Sequence, residues 1–262
     1  MRRERVPIVV AVLAAIGAAF FILPLLGLIV RSPWGDAVKS LTAPDTLEAL
    51  KLSLIASLSA TAIGLLLGVP LAWIFARVEF PGRNLLRALT TLPMVLPPVV
   101  GGVALFLAFG RRGLVGSWLD STFGITIPFT TAAVVMAETF VAMPFLIITV
   151  EAGLRSMDRR YEDAARTLGA KRWTVFTRVT LPLIAPSLFA GAVLCWARAL
   201  GEFGATITFA GNFPGVTQTM PLAVYLLLET NHQEASYILS LVLLLISLLV
   251  LVALRHRWLG SA

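Results

Sequence analysis

The sequence predicts an all-α integral membrane protein with six transmembrane helices, and three observations carry that prediction. Its 262 residues are 58% apolar and only 13% charged, against about 45–50% and about 25% in a soluble domain. The apolar residues gather into six runs, each able to supply the roughly 20 residues that cross a hydrocarbon core. The bases are divided unevenly between alternate loops, although the formal net charge is +7. This composition excludes a soluble enzyme, a disordered chain and a disulfide scaffold, and the closeness of the runs leaves room for one domain, residues 1–262.

The runs are Val6–Val30, Leu52–Ala76, Ala88–Phe109, Pro128–Val150, Leu183–Phe209 and Ser236–Leu254. The first follows Arg2, Arg3 and Arg5, as a secretory signal would. It continues through Phe20, Phe21 and Ile22 with no small-residue cleavage site, so it reads as a retained anchor. Between runs one and two, Arg31–Lys51 is amphipathic. Pro24, Pro70, Pro93, Pro97, Pro98 and Pro144 fall in or at the ends of runs, and each is expected to kink or end its helix because it removes a backbone donor. Gly64 and Gly68 make a Gly-x-x-x-Gly step suited to close helix packing. The single cysteine, Cys195, reads as a small core residue.

Charge placement orients the spans. The N-terminus, the Arg77–Arg87 turn, the Glu151–Thr180 loop and the C-terminal tail hold 15 of the 21 Lys and Arg, seven of them in the 151–180 loop. Arg31, Lys39, Lys51, Arg111 and Arg112 occupy the alternate loops, and Arg198 lies inside a run. The positive-inside rule then makes both termini and the 151–182 loop cytoplasmic in a multi-pass cell-membrane protein. Topology accounts for the bases, so no nucleic-acid partner is expected; membrane lipid surrounds the spans.

No catalytic residue is assigned. The chain has no Gly-x-x-x-x-Gly-Lys-Ser/Thr phosphate loop and no Gly-x-Ser-x-Gly elbow. His232, His256 and Cys195 are too few and too dispersed for a metal site.

The most specific segment is Tyr161-Glu162-Asp163-Ala164-Ala165-Arg166-Thr167-Leu168-Gly169, followed after nine residues by Val179-Thr180-Leu181-Pro182. Asp158 can cap a short helix whose first turn holds Glu162 and Asp163, which suits the positive end of its dipole. Gly169 can provide the left-handed residue that ends it. Ala164, Ala165 and Leu168 then form a small, smooth face, with Arg159, Arg160 and Arg166 around it. Such a helix is built to dock into a groove on another protein.

This segment resembles the EAA loop of ABC importer permeases, Glu-Ala-Ala-x3-Gly-x9-Ile-x-Leu-Pro. Asp163, Ala164, Ala165, Gly169, Val179, Leu181 and Pro182 match it with the spacing unchanged, Asp replacing Glu and Val replacing Ile. The resemblance covers most of the chain and is weakest before Leu47. It implies an ABC importer type I permease arrangement with a cytoplasmic coupling helix. It also implies partners: a second copy of the chain, two ATPase subunits that bind ATP and Mg, and an external oxyanion-binding protein. The chain itself would hold no cofactor.

In the fifth run, Ser187, Gly191, Cys195, Arg198, Glu202 and Thr206 would share one face of a continuous helix. Ionisable residues inside a membrane usually face a bundle interior or an aqueous path. Ser187, Gly191, Arg198, Glu202 and Thr206, with Glu138 of the fourth run, are therefore the candidates for lining translocation. Arg198 and Glu202 can pair at i,i+4, either as a structural lock or with Arg198 meeting an anion. Glu138 reads as a hydrogen-bonded buried carboxyl or a partner for Arg198.

The strings Gly201-Glu202-Phe203-Gly204-Ala205-Thr206 and Ala210-Gly211-Asn212-Phe213-Pro214-Gly215-Val216-Thr217-Gln218-Thr219-Met220-Pro221-Leu222 resemble the molybdate permeases. Sulfate permeases are similar through Gly-Glu-Phe-Gly-Ala and usually lack the second string. The resemblance implies import of molybdate, with tungstate open as a cargo of nearly the same size. A sulfate or thiosulfate permease is the rival within the architecture. An ion-coupled secondary transporter using Glu138, Glu202 and Arg198 is the rival outside it.

Overall fold

The computed structural model describes residues 7–258, with side chains described through residue 252. Arg2, Arg3, Arg5, Arg255, His256 and Arg257 of the sequence reading lie outside those described side chains. Among the described residues every regular element is helical.

Helix α1 (Ile8–Arg31) stands at the periphery with no buried residue and leans on the last helix. A 3-10 turn at Trp34–Asp36 and a short α2 (Ala37–Thr42) lead into α3 (Pro44–Arg77), which starts well before the run expected at Leu52. After a turn through Gly82, at φ 85°, come α4 (Arg83–Thr91), α5 (Pro98–Phe109) and α6 (Gly116–Phe123). The long α7 (Thr131–Ser156) is capped at its start by the Thr130 hydroxyl, which accepts from the Ala133 amide. Then follow α8 (Arg160–Thr167), α9 (Arg172–Val175), a π turn over Phe176–Thr180, α10 (Leu181–Leu183) and α11 (Ala185–Leu200). Helices α12 (Gly204–Phe209), α13 (Met220–Glu229) and α14 (Gln233–Trp258) complete the chain.

Among the described residues four helices, α1, α3, α7 and α14, are long and apolar enough to cross a membrane unaided. The other two expected spans are bent. Ala88–Phe109 is divided between α4 and α5, whose axes, counted through Met94, meet at 117°. Pro93, Pro97 and Pro98 cluster at the break, and Leu96 and Pro97 each precede a proline, which disfavours helical geometry there. Leu183–Phe209 is likewise not one helix: Arg172–Leu183 and α11 meet at 73°, and α11 ends before Gly201. Pro24, Pro70 and Pro144, by contrast, sit inside α1, α3 and α7 and do not end them.

The bundle centre is α3 lying along α7, with α11 packed against both. Small residues make this possible. A Cβ at Gly68 would stand 3.0 Å from Leu146 Cδ2, and one at Gly64 would stand 3.3 Å from Cys195 Sγ. Phe75, Leu146, Ile147, Leu154 and Ile184 fill one end of the seam. At the other end Ala56, Leu105, Val134 and Phe209 bring α5 and α12 against α7.

Candidate functional site

Helix α8 is built as a projecting platform. The Arg160 amide donates to Asp158 Oδ1 at 2.9 Å, satisfying a donor at the start of the helix. At its end Gly169 adopts φ +82°, and the amides of Gly169 and Ala170 donate to the carbonyls of Arg166 and Ala165. Tyr161, Ala164 and Leu168 point outward, with Leu168 89% exposed, and Ala165 is half-buried beside them. Trp173 of α9 is also exposed, at 74%.

Glu162 belongs to the arc of α8 that adjoins this exposed face. Although it belongs to the segment read as a docking helix, it is buried; Thr180 Oγ1 donates to its Oε1 at 2.7 Å and Arg77 Nε lies 3.4 Å from its Oε2. Arg166 bridges Asp163 at 2.8 Å and approaches Glu162 at 3.9 Å. Helical phase explains the division: Tyr161, Ala164, Ala165 and Leu168 fall on one arc, and Glu162 and Arg166 on the adjoining one.

A second ionic node stands nearby. Arg87 and Arg155 both bind Oε1 of Glu151, at 2.6 and 2.8 Å, and Arg87 also donates to the Phe75 carbonyl. This ties α4, α7 and α3 together where the latter two end. Charge counting along the sequence registers these bases as topology and does not reveal their pairing.

The expected common face of the fifth span is divided by the end of α11. Ser187 faces Gly153 of α7 so closely that a Cβ on Gly153 would collide with it. Gly191 also faces α7, where a Cβ would lie 3.3 Å from Thr149 Cβ and 3.4 Å from the Leu146 carbonyl oxygen. Both residues therefore sit in a helix–helix seam, and Thr206 is fully buried on α12. Arg198 and Glu202 do pair, at 2.5 Å, with the arginine side chain 28% exposed and the glutamate 1%. Glu202 also accepts from the Ala205 amide at 2.9 Å, so it caps α12 while holding α11. Glu138 is 1% exposed, as a buried carboxyl would be; among the described residues it makes no ion pair with Arg198, and its Oε2 has no hydrogen-bond partner.

The segment after α12 is fastened by its own polar groups. Thr217 Oγ1 accepts from the Phe213 amide, Ser53 Oγ of α3 accepts from the Met220 amide, and Thr131 Oγ1 donates to the Val216 carbonyl. Asn212, Gln218 and Thr219 each keep a buried side-chain atom without a hydrogen-bond partner.

A bundle of bent and straight apolar helices with a projecting two-turn helix agrees with what comparison finds. Residues 64–259 match the family described as binding-protein-dependent transport system inner membrane component. The chain belongs to this family. It is accordingly a non-enzymatic membrane subunit of a transport system.

The relatives of this inner membrane component include the molybdenum transport system permease protein ModB of Mycobacterium tuberculosis, 46% identical over 244 residues covering 93% of this chain and 92% of the relative. ModB of Escherichia coli K12 is 44% identical over 214 residues, covering 80% and 93%. The sulfate transport system permease protein CysT of Escherichia coli K12 is 36% identical over 237 residues, covering 89% and 85%. Among solved structures, a bacterial alginate ABC transporter in complex with an alginate pentasaccharide-bound periplasmic protein contains a chain that superposes with a TM-score of 0.73, covering 94% of this chain and 92% of that one. At 18% identity that likeness speaks for the ABC permease fold alone.

Proposed function

We propose that this chain is the permease of a molybdate importer driven by ATP. Two copies would enclose the path, and one ATPase subunit would seat on each α8. The observation that carries the coupling reading is the form of α8: Tyr161, Ala164 and Leu168 are exposed on one arc while Glu162 anchors the other arc to α3 and to Thr180. A helix held so rigidly on one side and bare on the other transmits displacement from an outside partner into the bundle. ATP and Mg would be bound by that partner, and this chain contributes the path and the lever.

Molybdate is favoured over sulfate because identity to the ModB proteins exceeds identity to CysT over comparable coverage. Tungstate, a tetrahedral dianion of nearly the same size, is a second cargo. Orientation follows from the bases: α8 and both termini face the cytoplasm, and an external oxyanion-binding protein delivers cargo on the opposite side. Within the path, Arg198 is the candidate for meeting the anion, because part of its side chain stays exposed while Ser187, Gly191 and Thr206 serve packing. A proton or ion relay through Glu138, Glu202 and Arg198 is disfavoured, since among the described residues no hydrogen bond or ion pair links Glu138 to the other two.

The deciding experiment is uptake of labelled molybdate by proteoliposomes carrying the chain, its ATPase and its binding protein. Uptake should need internal ATP, survive collapse of the proton gradient and resist excess sulfate. Efficient competition by sulfate would reassign the cargo, and abolition by gradient collapse at constant ATP would reassign the mechanism.

A further inference from the structure

At the α8 end of the bundle a cavity of about 630 Å³ opens between the ends of α3 and α7 and the start of α4, lined chiefly by Arg77, Arg83, Arg155, Arg159 and Glu79. Four guanidinium groups thus face one carboxylate, and Glu79 forms no ion pair among the described residues. The carboxylates nearby are already shared: Glu151 serves Arg87 and Arg155, and Glu162 serves Arg77 and Arg166. Arg159 donates to the Ala76 carbonyl and Arg83 to the Val78 carbonyl, and neither has a carboxylate partner within 4 Å among the described residues.

The decisive detail is a set of buried donors lacking acceptors. Among the described residues Arg77, its side chain 8% exposed, has a buried Nη2 with no hydrogen-bond partner, and Arg83 has a buried Nε in the same condition. Native proteins rarely leave such groups unmatched, and surplus positive charge around them selects an acceptor that is an anion. Guanidinium forks match the paired oxygens of a tetrahedral oxyanion. The other large cavity, about 740 Å³ at the start of α3, is lined by Asp36, Asp45 and Glu234 and offers the opposite chemistry.

We propose that the Arg77–Arg83–Arg155–Arg159 cavity binds a phosphate-type tetrahedral anion, either free or as the headgroup of an acidic phospholipid. Because Arg77 is also the ion partner of Glu162, an anion in this cavity competes with the anchor of α8 for one guanidinium. Occupancy is thereby linked to how firmly α8 is held. This site lies apart from Arg198 and does not depend on which cargo is carried.

The test uses the full-length chain in two arms. In the first, lipid-free chain in a neutral detergent is titrated with inorganic phosphate by calorimetry. In the second, chain exchanged through phosphatidylcholine vesicles containing phosphatidic acid is examined by native mass spectrometry for retained phosphatidic acid. Saturable binding in the first arm identifies a free anion, and retention in the second arm alone identifies a headgroup. In either case R83Q/R159Q should weaken binding about tenfold or more, whereas R111Q, whose guanidinium rests on Asp120, should bind as the parent does. The proposal is overturned if the parent binds neither probe, or if the double variant binds equally well. Should R83Q/R159Q not yield folded protein by circular dichroism, R83Q alone is read against the same two outcomes.

Discussion

Arg77 at the end of α3 and Glu162 of α8 meet at 3.4 Å with both side chains almost wholly withdrawn from solvent. The exposed helix that would face a motor is therefore joined to the central helix of the bundle by a buried charge pair. Thr180, hydrogen-bonded to the same carboxylate at 2.7 Å, extends the link to the π turn that precedes α11.

Replacing Glu162 with Gln leaves Arg77 buried without its counter-charge. Breaking a buried pair costs about 3–5 kcal/mol, and the 3.4 Å separation places this one at the lower end. E162Q should lower the melting temperature of the purified chain and reduce ATP-driven uptake. R77M/E162L, which removes both charges, should recover much of the stability but not the uptake. Equal stability of E162Q and parent in a melting experiment would show that the pair contributes nothing.

Gly169 has open space where a Cβ would stand, so a substitution there is resisted by backbone conformation alone. At φ +82° a β-branched residue is strained by about 1–2 kcal/mol. G169V should insert normally into the membrane yet uncouple ATP hydrolysis from uptake, and G169N, which tolerates the left-handed region, should retain more of both. Simultaneous measurement of hydrolysis and uptake separates the two variants.

Glu202 performs two tasks that can be dissected. Gln at this position keeps an oxygen for the Ala205 amide and loses the charge facing Arg198. E202Q should thus be milder than E202L, which also uncaps α12 at a cost of about 1 kcal/mol. If Arg198 meets the anion, R198Q should raise KM for molybdate more than E202Q does. If the pair is only a lock, the two single variants and the double variant should have similar effects in a double-mutant cycle.

Gly153 permits the closest approach of α7 to α11. G153V forces a methyl group into Ser187, and overpacking of this kind costs about 1–3 kcal/mol. The yield of folded chain should fall, and S187G in the same background should restore part of it, as judged by fluorescence-detected gel filtration.

Much of this architecture is legible in the sequence, for reasons that also define where reading stops. Helices α1, α3, α7 and α14 each contain most or all of a continuous apolar run, α3 beginning ahead of its run, because burial in lipid or in the bundle asks for the same residues. The bends at Leu92–Pro97 and at Ile184 escape a hydropathy reading, since apolar content is unchanged as the axis turns through 117° or 73°. Prolines alone do not mark them: Pro70 and Pro144 lie in helices whose neighbours support the backbone on several sides, whereas Pro93, Pro97 and Pro98 act together. The platform of α8 and its Gly169 stop follow from local chemistry and were legible. The inward turn of Glu162 was not, because its partners Arg77 and Thr180 come from other elements. The same holds for Ser187 and Gly191, whose small size suits a path and a tight seam equally well; the seam emerges only when α7 is laid beside them.

The π turn at Phe176–Thr180 gives the nine-residue interval between Gly169 and Val179 a geometric meaning. The Leu181 amide there reaches back five residues to the Phe176 carbonyl, one more than an α-helix requires. Deleting Thr177 would remove the extra residue and let the helix close into regular α geometry with the downstream turns nearly in phase. The widened loop of backbone works as a slack-absorbing joint: it takes up one residue without turning the helix that follows, and Thr180 keeps its hydroxyl on Glu162.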